Sequence, residues 1–281
     1  MKLGLVGLGY WGKILLKNLE TITDDIIIYD KYLENGLYNG HTTVTDVFEL
    51  LQCDNIFIVA PFTQHYEICK YFLANKKNVF CEKPLTENKY TVTELYELAK
   101  QNNCKLFVDW IFTFNSSVLF LKELYESGRL GKIRSITMNR INSGPERMDT
   151  NAKWDLASHD VSIIQFIFNK IPKIVKWYNF KRNKRSYQED STFGIIEYED
   201  FDVLINASWC YSQKDRRCVF EFDKDIIVWD DNSQKLKGQH QDYSKEILNL
   251  ESPLIKSIKT FLSSNFEQED LTNSITQILE A

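Results

Sequence analysis

The chain has 281 residues, 43% hydrophobic and 26% charged, with 34 basic and 39 acidic residues and a net charge of −5. That length suits two domains better than one, with enough apolar content for a sizeable core. The slight acidity excludes a general attraction to nucleic acid or to an anionic membrane surface.

Residues 2–6 read as a buried strand that runs straight into Gly7-Leu8-Gly9-Tyr10-Trp11-Gly12. Residues 13–20 then carry apolar side chains at helical spacing, and 26–29 form a second strand ending at Asp30. Residues 46–51 read as helical and 55–60 as a third apolar strand ending at Pro61. A helix over 65–74, a strand over 78–81, a helix over 91–101 and a strand over 105–108 follow. Strand–helix alternation with short links predicts a doubly wound parallel α/β sheet of the Rossmann type, over residues 1–115.

From 116 to 281 the pattern changes. A helix over 117–126, closed by Gly128, precedes strands at 133–141, 173–180, 191–198, 202–209, 217–222 and 226–229. One helix, 154–168, interrupts them, and helices at 253–264 and 271–279 end the chain. This predicts a second, α+β domain with an open, mostly antiparallel sheet.

No apolar stretch approaches the roughly 18–20 residues that a membrane span requires. Residues 3–6 are too short for the apolar core of a signal peptide. The cysteines at 53, 69, 81, 104, 210 and 218 form no CxxC and no zinc spacing with the histidines, predicting reduced thiols and no metal site. His41 and His240 read as surface residues, and the basic run at 181–185 as a solvated loop. The expectation is a soluble cytoplasmic protein.

Three strings carry chemistry. Gly7-x-Gly9-x-x-Gly12 lies between a predicted strand and helix, where the glycines permit a tight turn, backbone approach to a pyrophosphate, and close helix–strand packing. The helix N-terminus would face the phosphates. Asp30, at the end of strand two, would accept the ribose hydroxyls of NAD and repel the 2′-phosphate of NADP; Lys31 beside it leaves NADP open. Pro61-Phe62-Thr63-Gln64-His65 follows the third strand; Thr63 or Gln64 would cap the next helix, and His65 either anchors that helix or contacts the cofactor. Anchoring is the favoured reading.

Lys83, between Glu82 and Pro84, is either a solvated strand-end lysine or a donor to a substrate oxygen, and a cis bond before Pro84 would aim it into the cleft. Asp155 and His159, four apart on a predicted helix, share a face. They read either as a helix-start acid with a packed histidine or as an acid–base pair.

Together these residues resemble the glucose–fructose oxidoreductase/inositol dehydrogenase (Gfo/Idh/MocA) family. The strings involved are the glycine turn, Pro61-x-x-x-His65, Asn78-Val-Phe-Cys-Glu-Lys-Pro84, Ser127-Gly-Arg-Leu-Gly-Lys-Ile133 and Asp155-x-x-x-His159. The resemblance implies catalytic roles for Lys83, Asp155 and His159, with His159 the acid–base residue. It implies a cofactor site of Gly7, Gly9, Tyr10, Trp11, Gly12, Asp30, Pro61, Thr63, His65, Glu82 and Lys83, and a homodimer or homotetramer. The stretch from Arg140 to Asp160 resembles a nucleotide-sugar and surface-polysaccharide subgroup, implying substrate contacts from Arg140, Asn142 and Trp154. Ser158, where relatives commonly have proline, and the arginine-free run Asp109–Asn115 depart from the pattern.

The reading is an NAD(P)-dependent oxidoreductase that moves hydride between nicotinamide and a carbon of a small-molecule sugar, a nucleotide-linked or activated pyranose. Its rivals are a reductase of a cyclic polyol or biliverdin-type substrate, and a cofactor-binding regulatory subunit without turnover.

Overall fold

A computed structural model describes residues 1–247, 251–263 and 267–281, which divide into two compact units. The first comprises residues 1–111 and 254–276, and the second 112–253 and 277–281. The chain first leaves unit one at Ile111, four residues before the sequence-based boundary, and its C-terminal part returns there.

Unit one contains β1 (Leu3–Val6), α1 (Tyr10–Leu19), β2 (Ile26–Tyr29), β3 (Gly36–Tyr38), β4 (His41–Val44), β5 (Asn55–Ile58), α2 (His65–Ala74), β6 (Asn78–Cys81), α3 (Lys89–Gln101) and β7 (Leu106–Val108). The sheet order is β3-β4-β2-β1-β5-β6-β7, parallel throughout except for the β3–β4 pair. Leu3, Leu5, Ile28, Ile56, Phe57, Ile58, Val79 and Phe80 are completely buried. Burial on both faces is why these strands read as unbroken apolar runs. Strand order reverses at β1, between β2 and β5, so the carboxyl ends of β1 and β5 flank the crevice where such sheets bind ligands.

Unit two contains α4 (Ser116–Glu126), β8 (Ile133–Ser143), α5 (Ser158–Phe168), β9 (Ile174–Phe180), β10 (Ser191–Glu197), β11 (Asp202–Ser208), β12 (Cys210–Asp215), β13 (Arg217–Phe222), β14 (Ile226–Asp230) and β15 (Lys235–Gly238). Its sheet runs β15-β14-β13-β8-β11-β10-β9, with β12 also on β8. All pairs are antiparallel except β8 with β11. α4 is capped by Asn115, whose side chain accepts the Ser117 and Val118 amides, and Gly128 follows its end at φ +68°.

The chain ends in α6 (Pro253–Ser263) and α7 (Glu269–Glu280). In unit one, Phe261 of α6 meets Phe57 at 5.4 Å, edge-on, and Phe80 stacks on Phe107 at 5.2 Å. Residue 264, the last of the predicted helix 253–264, lies outside the described residues.

Four features differ from the sequence reading. The β3–β4 hairpin, β12 and β15 are short and largely polar, without the apolar run that marks the other strands. Residues Val47–Gln52 form a 3₁₀ helix. The predicted helix 154–168 opens as a π turn, Lys153–Ala157, before becoming α-helical. His41 is a buried residue, 6% exposed, with its ring nitrogens on the Glu20 carboxylate at 3.0 Å and the Asp24 carbonyl at 3.2 Å. The partners precede it by 21 and 17 residues, so its polar sequence neighbours misrepresented its surroundings. His240 is exposed as expected.

Among the described residues, no helix is long and apolar enough to cross a membrane, and no three His, Cys, Asp or Glu side chains gather as a metal site.

Candidate active site

In unit one the site is built largely from main chain. Gly7 sits at φ +97°, and a Cβ there would meet the Val59 carbonyl oxygen at 2.7 Å. The left-handed backbone alone would cost another residue about 1–2 kcal/mol. A Cβ on Gly12 would collide with the Gly7 carbonyl. Protein sterics therefore account for the first and third glycines.

Gly9 is different. It is exposed, a Cβ would meet nothing within 4 Å, and it caps α1 with no side-chain hydrogen bond. The first-turn amides of a helix have no intrahelical partner, so the Gly9 flank presents donors and a positive dipole end to open space. Asp30 ties this turn to β2: Oδ2 accepts the Leu8 amide at 2.7 Å and Oδ1 the Tyr32 amide at 3.0 Å. The Lys31 ammonium lies 4.8 Å above the Tyr32 ring.

The neighbouring strand ends are stitched to the same edge. Trp11 donates its indole N–H to Glu82 Oε1, and Glu82 Oε2 accepts the Lys83 amide at 3.2 Å. The Lys83–Pro84 peptide is cis. His65 is 2% exposed, with Nδ1 2.8 Å from the Pro84 carbonyl and Nε2 3.0 Å from the Ala60 carbonyl. It anchors α2 to the ends of β5 and β6, the reading favoured from sequence. Pro61 opens a 3₁₀ turn, Phe62–Gln64, and Gln64 takes the N-cap position of α2 without a side-chain bond. Thr63 is exposed, as is Tyr10 at 84%.

In unit two the site is built from side chains on separate elements. Asp155 lies in the π turn, a local widening common at functional sites. Its Oδ1 accepts from Arg147 Nη1 at 3.3 Å and its Oδ2 from Trp209 Nε1 at 3.1 Å. Arg147 also grips Asp149 in bidentate fashion at 3.0 and 2.8 Å. Burial works to lower the Arg147 guanidinium, but Asp149 and Asp155 outweigh it and hold it above its usual range. Half-buried His159, in α5, meets the Phe112 ring edge-on at 5.0 Å.

Two of the residues given substrate contacts by resemblance, Arg140 and Trp154, lie buried in the core. Arg140 is 1% exposed, and its Nε and Nη2 donate to Asp160 Oδ1 at 2.9 and 2.7 Å. The Phe112 ring lies 4.6 Å from its guanidinium. This is a core ion pair, which sequence could not reveal because Asp160 is on α5 and Arg140 on β8. Burial pushes the Asp160 carboxyl up, with Arg140 opposing. Trp154 is 5% exposed and also belongs to the core. Asn142 is half-buried beside Gly144 and carries a buried Oδ1 without a hydrogen bond. Sequence reading gave no role to Trp209; only the β-type run containing it hinted at its placement.

Residues 1–110 match the model of an oxidoreductase family with an NAD-binding Rossmann fold, and residues 118–228 match the Gfo/Idh/MocA C-terminal domain. The chain belongs to the Gfo/Idh/MocA oxidoreductase family. The chain is 27% identical to myo-inositol 2-dehydrogenase of Thermotoga maritima over 186 residues, 60% of this chain and 55% of that protein. It spans about half the length of the curated relatives it matches.

Among solved structures, UDP-N-acetylglucosamine 3-dehydrogenase GnnA of Acidithiobacillus ferrooxidans aligns with a TM-score of 0.85 at 17% identity, covering 99% of this chain and 95% of that one. The WlbA dehydrogenase of Bordetella pertussis, in complex with NADH and UDP-GlcNAcA, aligns at 0.77 with 16% identity, covering 93% and 83%. At such identities the likeness is one of fold. For this Gfo/Idh/MocA member the residues fit NAD. The Gly9 flank is open where a pyrophosphate approaches, and Asp30 presents a carboxylate at the end of β2.

Proposed function

We propose that this chain is an NAD-dependent dehydrogenase or ketoreductase acting on a CH–OH or carbonyl carbon of a sugar, a nucleotide-linked or otherwise activated pyranose. One observation carries the reading. Lys83 is locked by Glu82 and by the His65–Pro84 bond at the same sheet edge as the dinucleotide turn. A surface lysine has no need of that fixation, whereas a donor to a reacting oxygen does.

The nicotinamide, when bound, supplies or accepts the hydride. In the oxidation direction the substrate carbon loses hydride while its hydroxyl proton passes to His159; reduction reverses both. The Lys83 ammonium stabilises charge on the substrate oxygen. Asp155, oriented by Arg147 and Trp209, accepts hydrogen bonds from sugar hydroxyls. NAD is favoured over NADP because the Asp30 carboxylate faces the turn while Lys31 is drawn onto Tyr32.

A homo-oligomer is part of the same proposal. By strand register, Ile174, Tyr178, Phe180, Leu204 and Ile226 lie on one face of the second sheet, each at least 39% exposed. A second copy would cover that apolar face. Light scattering on the purified chain gives the mass.

The functional test is NADH oxidation with 3-keto and 4-keto sugar nucleotides, against a keto-inositol and biliverdin, alongside NADH binding by fluorescence. Turnover on a sugar nucleotide is the expected result. Turnover only on the other two moves the substrate class. Binding without turnover on any substrate favours the regulatory reading.

A further inference from the structure

Two acids stand side by side at the carboxyl edge of the first sheet, and the mechanism above uses neither Asp109 nor its proton. β6 and β7 run in register with Cys81 beside Val108, and the ladder continues one residue further, with the Asp109 amide donating to the Cys81 carbonyl at 2.9 Å. Glu82 and Asp109 are therefore lateral neighbours as both strands leave the sheet.

Their surroundings are unequal. Glu82 is supplied with donors, the Trp11 indole and the Lys83 amide. Asp109 is 1% exposed, and its two carboxyl oxygens are fully buried and accept no hydrogen bond. The polar groups facing it are the Glu82 carboxyl, the Ser257 hydroxyl of α6 and the Lys83 ammonium. Ser257 donates to the Leu254 carbonyl at 3.0 Å, so its one proton is shared; it and Lys83 oppose the rise of the Asp109 carboxyl without cancelling it. Cys81, next along β6, is a buried thiol that burial pushes well above its usual range, so it brings no charge; Cys69 faces Cys81 in turn.

An ionised Asp109 would be a buried charge beside a second carboxylate, with neither oxygen accepting a well-formed hydrogen bond. Such a group takes up a proton instead. Burial pushes the Asp109 carboxyl well above the usual carboxylate range, and Glu82 adds to the shift. Burial also raises Glu82, but Lys83 and the Trp11 indole oppose it there, so the anion belongs on Glu82.

We propose that Glu82 and Asp109 hold one proton between them at neutral pH, carried by Asp109, which acts as a positioning residue by donating to the Glu82 carboxylate and so fixing Lys83. The shared proton is independent of the dehydrogenase reading; only its effect on Lys83 rests on that reading.

The test uses the full chain and two variants, Asp109→Asn and Asp109→Ala. Infrared difference spectra between wild type and Asp109→Asn should show a protonated-carboxyl C=O band at neutral pH. Thermal unfolding gives a second readout. An acid that binds its proton more tightly when folded loses stability as pH rises from its ordinary value of 3.8 toward its folded value. The wild-type melting temperature should therefore fall more than that of Asp109→Asn as the pH rises above 3.8.

In turnover, Asp109→Ala should lower kcat about tenfold, and Asp109→Asn, which keeps a donor, should recover most of it. Absence of the infrared band, with equal pH slopes, overturns the shared proton. The band present, with Asp109→Ala as active as wild type, overturns the positioning role. A wild type without turnover, but with the band, overturns the dehydrogenase reading and leaves the proton in place.

Discussion

The dinucleotide turn of unit one and the Asp155 cluster of unit two are held by different means. Around Gly7–Gly12 the work is done mostly by main chain: a positive φ, two forbidden Cβ positions, an uncapped helix start and a backbone bond to Asp30, with the Trp11 indole adding a side-chain tie to Glu82. Around Asp155 it is done by side chains from separate elements, Arg147 after β8 and Trp209 after β11. A backbone device depends on residue types within a few positions and tolerates little change. A side-chain device can be rebuilt from other elements. Under the proposed function, cofactor binding and substrate choice would be encoded at different ranges along the chain.

Substitutions can break or sharpen this contrast. His159→Ala removes the proposed acid–base group and should lower kcat by about 10²–10⁴-fold, with NADH affinity by fluorescence unchanged. Lys83→Ala should cost about 10²–10³ in kcat, again without loss of NADH binding. Steady-state kinetics checks both, and full turnover in either variant would contradict the assigned roles.

Asp160→Ala leaves the Arg140 guanidinium buried without its hydrogen-bonded partner, with Asp231 at 3.9 Å, so about 3–5 kcal/mol of stability should disappear, read as a lower denaturation midpoint. Retained stability would show that the Arg140–Asp160 pair does not hold this core together. The smallest effect is the most selective. Gly9→Ala meets nothing in the protein, so its melting temperature should match wild type while its NADH Kd rises about tenfold. Gly7→Ala, by contrast, should lose stability as well as binding.

What could be read without coordinates follows the same division. The parallel strands, the glycine turn and the cis Lys83–Pro84 step were legible because each depends on local backbone chemistry or on burial of a continuous apolar run. The β3–β4 hairpin was not, being a short, polar edge feature. Arg140 looked like a substrate ligand and is a core cation, while His41 looked exposed and is buried. In both cases the deciding partner, Asp160 or Glu20, is brought in by tertiary structure. Arg147 lay unremarked within the Arg140–Asp160 stretch, because its grip on Asp155 is made in the folded chain, where Asp155 lies in the π turn.

The most direct test of the account is transfer of label from NADH deuterated at the nicotinamide C4 to a keto-sugar nucleotide, followed by mass spectrometry, in wild type and in Lys83→Ala. Deuterium should appear on the sugar carbon in wild type. It should be nearly absent in a Lys83→Ala variant that still binds NADH with wild-type affinity. No transfer by wild type to any keto-sugar, or equal transfer by the variant, would contradict it.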